Sequence, residues 1–183
     1  MTADDRPPVS VVAVIGGECS GKSTLARALA ERLPGEHVVE ELRVFVDDHG
    51  RPPQQAEQAG VMNRQIEAEG AAVERAAASG LRWVVGDPAA LMTAVYSVAY
   101  FDDDSLLPAA VAHQRNYRLT VWCDTDLPWV ADGDQRDGPA ERDRVHQLIG
   151  RIVDSHNLEV CRVAGPVDDR VERVLTALNT ERS

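Results

Sequence analysis

Eight consecutive residues, 16–23, have the clearest chemical signature in this chain, because they match the pattern G-x-x-x-x-G-K-[ST] in full. Backbone N–H groups in such a loop converge on phosphate oxygens, and the helix that follows adds a favourable dipole. Lys22 would reach the β- and γ-phosphates of a nucleoside triphosphate, taken here as ATP, and the Ser23 hydroxyl would bind Mg²⁺. The predicted nucleotide contacts are Gly16, Gly17, Glu18, Cys19, Ser20, Gly21, Lys22, Ser23 and Thr24.

Carboxylates follow two later apolar runs of the chain. Phosphoryl transfer needs a carboxylate that helps to hold Mg²⁺ and a group that orients the attacking hydroxyl. Asp87 is predicted to serve the metal or the acceptor, and the alternative is a helix cap ahead of Pro88. Glu40 and Glu41 are candidates for the acceptor, with solvated helix caps as the alternative. Arg43 could pair with Glu40 or hold a substrate group.

The loop 128–139, within a predicted lid of about 127–142, contains a lone arginine, Arg136, among acidic residues and glycines. In phosphate-transferring enzymes a lid that closes over the phosphates can contribute an arginine to neutralise the developing charge. Arg142 or Arg144 could assist Arg136 in that role. The alternative is a solvated surface loop with Trp129 packed as an anchor.

These residues must be positioned by short apolar runs that alternate with helical stretches. The predicted strands are 9–15, 38–39, 81–86, 119–123 and 158–163, and the predicted helices are 24–33, 54–79 (as one or two pieces), 91–100, one ending near 115, 141–155 and 167–178. This alternation indicates an α/β fold with a five-stranded parallel sheet, helices on both faces, and ligands at the carboxyl ends of the strands. Glu69 interrupts the apolar face of helix 54–79. We expect one domain, 9–183, after a loose leader, 1–8.

The composition limits the partners. Nineteen Lys and Arg against thirty Asp and Glu give a formal net charge of −11, so a surface for nucleic acid is not expected. No apolar run approaches the ~18 residues that span a bilayer, and no signal peptide is visible. Three isolated cysteines suit a reducing cytoplasm, and the histidines lack metal-ligand spacing. We expect a cytoplasmic protein that acts on a small molecule, with homo-oligomerisation left open.

The chain resembles the ribosylnicotinamide kinase domain of the NadR type in three blocks. These are the phosphate-binding loop, the segment 40–46, which is similar to the family's E-Y-x-R-x-[FY]-[VL], and the segment 127–133, which is similar to its P-W-V-x-D-G lid entry. The resemblance implies a P-loop fold of the nucleoside kinase kind. It also implies transfer of the γ-phosphoryl group of ATP to the ribose 5′-hydroxyl of a pyridine riboside such as nicotinamide riboside.

The site residues predicted from the motifs and the resemblance divide by role. Those predicted for catalysis are Lys22, Asp87, Glu40 and Arg136. Those predicted to bind the metal are Ser23 and Asp87. Those predicted to contact the acceptor are Glu40, Arg43, Asp87, Tyr96, Trp129 and Asp132.

Two departures from the family pattern keep the acceptor open. The family often has D-T-D after the third strand, where this chain has Asp87, Pro88 and Ala89, so the second carboxylate is missing. The aromatic residue that stacks on the nicotinamide ring in family members is replaced by Val39, which removes about 1 kcal/mol of stacking. The alternatives are a deoxynucleoside or nucleotide kinase, and an ATP-binding regulatory or partner-binding module with little turnover.

Overall fold

The computed structural model describes residues 8–130 and 138–180. Its strands are β1 (Ser10–Ile15), β2 (Gly35–Val38), β3 (Trp83–Gly86), β4 (Leu119–Cys123) and β5 (Cys161–Val163). Its helices are α1 (Lys22–Arg32), α2 (Glu41–His49), α3 (Gln55–Ser79), α4 (Leu91–Phe101), α5 (Leu107–Gln114), α6 (Pro139–Ser155) and α7 (Val167–Thr180). None of these helices is both long enough and apolar enough to cross a membrane.

The five strands form one parallel sheet in the order β2-β3-β1-β4-β5, which confirms the predicted fold class. β1 lies at the centre, where Val12 pairs with Val85 of β3 on one side and with Leu119 of β4 on the other. The carboxyl ends of β1 and β3 are therefore neighbours. This places the phosphate-binding loop, which follows β1, beside Asp87, which follows β3, at the edge where parallel sheets bind ligands.

Helices cover both faces of the sheet, as the alternating sequence pattern predicts. On one face α1 and α7 pack their apolar stripes, including Leu29 and Val174, against Val14 and Val121. On the other face α4 and α6 pack residues such as Met92 and Ile149 around the remaining strand side chains. The central strands β1, β3 and β4 are thus buried on both sides along most of their length, which explains their nearly continuous apolar sequences.

Two strands differ from the sequence-based prediction, α2 was not among the predicted helices, and α3 resolves an alternative that the sequence left open. β2 begins at Gly35 and ends at Val38. Its first residue lies so close to β3 that a Cβ atom at Gly35 would be 2.7 Å from the Trp83 carbonyl oxygen. Val39 lies beyond the strand and is 55% exposed. β5 is shorter than expected, since only Cys161–Val163 pairs with β4. α3 is one continuous helix that ends at Gly80 in a left-handed conformation (φ 74°), as a C-terminal glycine predicts.

Candidate functional site

The phosphate-binding loop joins the buried end of β1 to the first residue of α1. Gly21 has φ 82°, and a Cβ atom there would lie 2.9 Å from Leu127 Cδ1, so the position requires glycine. The Ser20 hydroxyl donates to the Gly17 carbonyl at 2.7 Å, and Lys22 Nζ donates to the same oxygen at 2.8 Å. The lysine ammonium is therefore held over the loop. Gly21 offers α1 no side-chain cap, which leaves the first N–H groups of α1 available to an anion.

Asp87 follows β3, and its backbone N–H donates to the Val38 carbonyl at 2.9 Å, which extends the sheet by one residue. The carboxylate is almost fully buried, and its Oδ1 atom has no hydrogen-bond partner among the described residues. Its Oδ2 atom lies 3.7 Å from His37 Nε2. Asp87 does not cap α4, because that helix begins at Leu91 with Ala90 at the cap position.

The donor atoms at this edge fit a magnesium ion. Mg²⁺ prefers oxygen ligands and is usually held by one or two carboxylates together with substrate phosphates and water. Asp87 supplies a buried carboxylate oxygen without a protein partner, and Ser23 supplies a hydroxyl at the start of α1. Within 8–130 and 138–180, no three His, Cys, Asp or Glu side chains cluster as a protein-only metal site. This donor set suits a metal that arrives with a nucleotide.

Glu40 lies between the loop and Asp87. Burial raises the pKa of its carboxyl group, Lys22 lowers that pKa, Asp87 raises it, and Arg43 lowers it. Its side chain is 19% exposed, and Arg43 Nε lies 3.9 Å from Glu40 Oε2. Glu40 stands at the N-cap position of α2, but its side chain makes no cap hydrogen bond. The carboxylate is thus left free for the cleft.

Tyr96 of α4 contributes a buried hydroxyl to the same cleft. Its pKa is raised well above the ordinary value, first by burial and then by the negative charges of Glu40, Glu18 and Asp87. The structure therefore brings together side chains from the loop, the start of α2, the end of β3 and α4. The resulting cleft is strongly acidic except at Lys22.

The residues predicted for the lid are only partly described. Asp132 and Arg136 lie outside the described residues. Trp129 is half-buried, and its indole N–H has no partner in the described structure. Arg142 donates to the Leu127 carbonyl at 2.9 Å, and its Cγ would lie 3.2 Å from a Cβ at Gly17, so α6 begins directly against the loop.

Arg144 is not brought to the phosphate-binding loop. Its guanidinium pairs with Glu141 and donates to the Ala99 carbonyl at the end of α4. Of the two arginines that could assist Arg136, the structure thus places only Arg142 beside the loop.

Arg170 supports the loop from α7 and was missed by the sequence analysis. The side chain is 2% exposed and donates to the carbonyl oxygens of Ser20 at 2.6 Å and Gly165 at 2.8 Å. It also donates to Asp126 at 2.7 Å, and Asp126 in turn accepts the Gly165 N–H at 2.6 Å. Arg170 lies with Val171 on the buried face of α7. An arginine on an otherwise apolar helix face is the sequence feature that could have identified it as a buried charge.

Comparisons with known proteins establish the fold. A family model described as an AAA domain matches residues 11–170, which is most of the chain. The trifunctional NAD biosynthesis/regulator protein NadR of Escherichia coli (strain K12) is 25% identical over 156 residues, which are 85% of this chain and 38% of that protein.

Two solved structures have the same fold. NadR in complex with NAD and AMP-PNP matches with a TM-score of 0.75 and 19% identity, covering 93% of this chain and 50% of that chain. Deoxyadenosine kinase from M. mycoides matches with a TM-score of 0.60 and 12% identity, covering 93% of this chain and 99% of that chain. This chain therefore spans half or less of the NadR proteins that it matches. The predicted NadR-like P-loop fold is confirmed.

Proposed function

The chain belongs to the AAA domain family as a NadR-like P-loop domain, and from this premise we propose that it is an ATP- and Mg²⁺-dependent small-molecule kinase. The reaction would transfer the γ-phosphoryl group to a hydroxyl of a nucleoside-type acceptor, with nicotinamide riboside as the first candidate. The convergence of Lys22, Glu40 and Asp87 at one cleft is the observation that supports this proposal.

Each residue has a role that follows from its place. Lys22 neutralises charge on the β- and γ-phosphates, and the N–H groups of the loop bind the remaining oxygens. Ser23 and Asp87 would hold a magnesium ion, which would supply positive charge to stabilise the negative charge that develops during the transfer. The acceptor oxygen forms a bond to the γ-phosphorus while the bond to the β,γ-bridging oxygen breaks, and ADP leaves with that oxygen.

Glu40 is the carboxylate best suited to accept the proton of the acceptor hydroxyl. A general base works best when its pKa lies near the working pH, and burial raises the pKa of Glu40 in that direction. The positive charge of the nearby Lys22 opposes this effect, since it lowers the same pKa. Asp87 is then left to serve the metal.

The charge of the cleft favours an acceptor without a phosphate group. The negative charges of Glu40, Glu18 and Asp87 all raise the pKa of Tyr96, so carboxylates predominate around this hydroxyl on the acceptor side. The cation beside Glu40 on that side is Arg43, whose side chain is 65% exposed. A phosphomonoester would be repelled, whereas the positively charged pyridinium ring of nicotinamide riboside would be attracted.

A panel assay tests the proposal. The protein is incubated with ATP, Mg²⁺ and, in turn, nicotinamide riboside, ribonucleosides, deoxynucleosides and nucleoside monophosphates, and ADP release is measured. We expect ADP release that depends on nicotinamide riboside or another unphosphorylated riboside. Tight ATP binding without any acceptor dependence would contradict the proposal and favour a regulatory module.

A deoxynucleoside kinase is the second candidate, because two side chains weaken the case for nicotinamide riboside. Val39 is exposed where family members carry an aromatic, so the stacking partner for nicotinamide is missing. Ala89 is fully buried in the core and its N–H donates to the Val14 carbonyl, so no second carboxylate reaches the cleft from that position. Faster ADP release with deoxynucleosides than with nicotinamide riboside would select this candidate.

A further inference from the structure

The N-terminus of α2 carries the acceptor residues, yet it has no cap of its own. Glu40 occupies the N-cap position without capping, so the first N–H groups of the helix need other partners. The Glu41 N–H finds one in Gln65 Oε1 of α3, at 2.9 Å. A side chain 24 residues away thus satisfies the first of these N–H groups from outside the helix.

The orientation of Gln65 is fixed by its two neighbours. A backbone N–H can only donate, so the amide oxygen of Gln65 must face Glu41 and the amide nitrogen must face away. That nitrogen points to Glu69 Oε1 at 3.5 Å. Both side chains are 3% exposed, which excludes water as a ready substitute partner.

Glu69 is in turn held by a set of donors around its carboxylate. His113 Nε2 lies 2.9 Å and the Tyr117 hydroxyl 2.7 Å from Glu69 Oε2. Gly86 of β3 makes room for the other oxygen, since a Cβ there would lie 3.3 Å from Glu69 Oε1. A buried carboxylate is costly unless such partners satisfy it, so this arrangement must offset a penalty. As a result, the Gln65 amide has a single orientation next to the start of α2.

We propose that Gln65 and Glu69 are positioning residues for the acceptor half of the site, a role that rests on the proposed kinase function. Gln65 caps α2 from below, and this leaves the Glu40 carboxylate in the cleft beside Lys22. Without that cap, Glu40 would itself turn to the free N–H groups or the first turn of α2 would fray. Either change moves the acceptor residues and leaves the phosphate-binding loop in place.

The test compares Gln65→Met with Gln58→Met. Gln58 is an equally buried glutamine two turns earlier on α3, and its single side-chain hydrogen bond goes to the Pro53 carbonyl at 3.3 Å, away from α2. We expect Gln65→Met to lower kcat/KM for the acceptor by tenfold to about a hundredfold, as small displacements of reacting groups do. The KM for ATP should stay within about twofold in both variants.

Equal losses in the two methionine variants, or a parallel rise in the KM for ATP, would overturn the proposal. If Gln65→Met does not fold, Glu69→Leu makes the same test by freeing the Gln65 amide to rotate, and an unchanged kcat/KM for the acceptor in that folded variant would also overturn the proposal. Hydrogen exchange of the first amides of α2 gives a readout that needs no turnover. Faster exchange in Gln65→Met than in Gln58→Met supports the cap even if the wild-type protein phosphorylates nothing, whereas equal rates refute it.

Discussion

The donor and acceptor halves of the cleft are built in different ways. The donor half is one contiguous loop between β1 and α1, with a lysine held by a carbonyl five residues away. The acceptor half collects side chains from the start of α2, the end of β3 and α4, and a glutamine of α3 caps it from below. The donor half is electropositive around Lys22, while the acceptor half gathers carboxylates. On the proposed function, a phosphate and a nucleoside-type acceptor would meet opposite electrostatic environments in the two halves.

The two halves also differ in what supports them. Arg170 braces the loop through the Ser20 carbonyl oxygen and is itself held by Gly165 and Asp126, so the donor half rests on a buried charge from α7. The acceptor half rests on the buried Glu69 of α3. A substitution at Arg170 or Glu69 can thus perturb one half without removing a group that contacts a substrate. The variants below exploit that separation, from the largest expected effect to the smallest.

Lys22→Ala should break the donor half most severely. Removal of the charge that neutralises the transferred phosphoryl group should lower kcat by about a thousandfold. Steady-state ADP release measures this, and circular dichroism checks that the fold persists. Arg27→Ala, which removes an exposed cation from the same helix, is the matched control and should have little effect. Wild-type-like turnover of Lys22→Ala would remove the basis of the assignment.

Glu40→Gln should break the acceptor half, lowering kcat by about a hundredfold through the loss of the proton acceptor. The matched control is Glu41→Gln, because the neighbouring carboxylate points to Arg64 at 3.8 Å instead of the cleft. Comparable losses in the two variants would argue against a special role for Glu40.

The same variant should alter the pH dependence of stability in a fixed direction. Burial raises the pKa of Glu40 above its ordinary value of 4.5, so the native state holds a proton that the unfolded state has already released. The contribution of Glu40 to the free energy of unfolding of the wild type therefore falls as the pH rises from about 4.5 through the raised pKa. Glu40→Gln carries no charge, and its Tm should exceed that of wild type by a margin that grows between pH 4 and 7. A margin independent of pH would contradict the raised pKa.

Arg170→Met should weaken the donor half from behind. Breaking a buried ion pair and two hydrogen bonds should lower the free energy of unfolding by about 3 kcal/mol. The KM for ATP should rise about tenfold, while the KM for the acceptor changes little. Arg173→Met on the same helix, whose exposed side chain donates only to the Arg162 carbonyl at 2.7 Å, is the control for chemical denaturation and kinetics. Equal changes in both KM values would mean that the two halves are not separable.

Val39→Phe should have the smallest effect of these variants, a modest gain in affinity for an aromatic acceptor. An aromatic side chain at this exposed position would restore about 1 kcal/mol of stacking on a pyridine ring, a roughly fivefold lower KM for nicotinamide riboside. Val44→Phe adds the same apolar ring at an exposed position inside α2 and controls for added apolar surface. A lower KM for every acceptor tested, aromatic or not, would indicate a non-specific effect.

Much of the donor half could be predicted from the sequence, because its residues are adjacent in the chain and glycine, lysine and serine types are required at fixed spacing. The alternating apolar runs predicted the parallel sheet for a similar reason, since strands that are buried on both faces must be apolar throughout. All the assigned roles remain predictions: those of Lys22, Ser23 and Asp87, those of Asp132 and Arg136, and the assignments of Glu40, Arg43, Tyr96 and Trp129 to the acceptor.

Arg170 and Glu69 could not be assigned in the same way. Each is a charged residue on an apolar helix face, and the sequence shows this as an imperfection of the pattern without naming a partner. Their partners lie 150 and 44 residues away, at Ser20 and His113. Spacing along a helix therefore indicates that a charge is buried, but it does not indicate what satisfies that charge.

The sequence by itself determined the phosphate-binding loop, the α/β class and the carboxylates that end the strands, because local spacing and burial pattern dictate these features. Only the tertiary structure decided that Glu40 faces the cleft without capping α2, that Asp87 does not cap α4, and that Gln65 and Arg170 brace the two halves. The reason is that hydrogen bonds between buried polar groups depend on which elements pack together. The packing of elements that are distant in the chain cannot be inferred from any single segment.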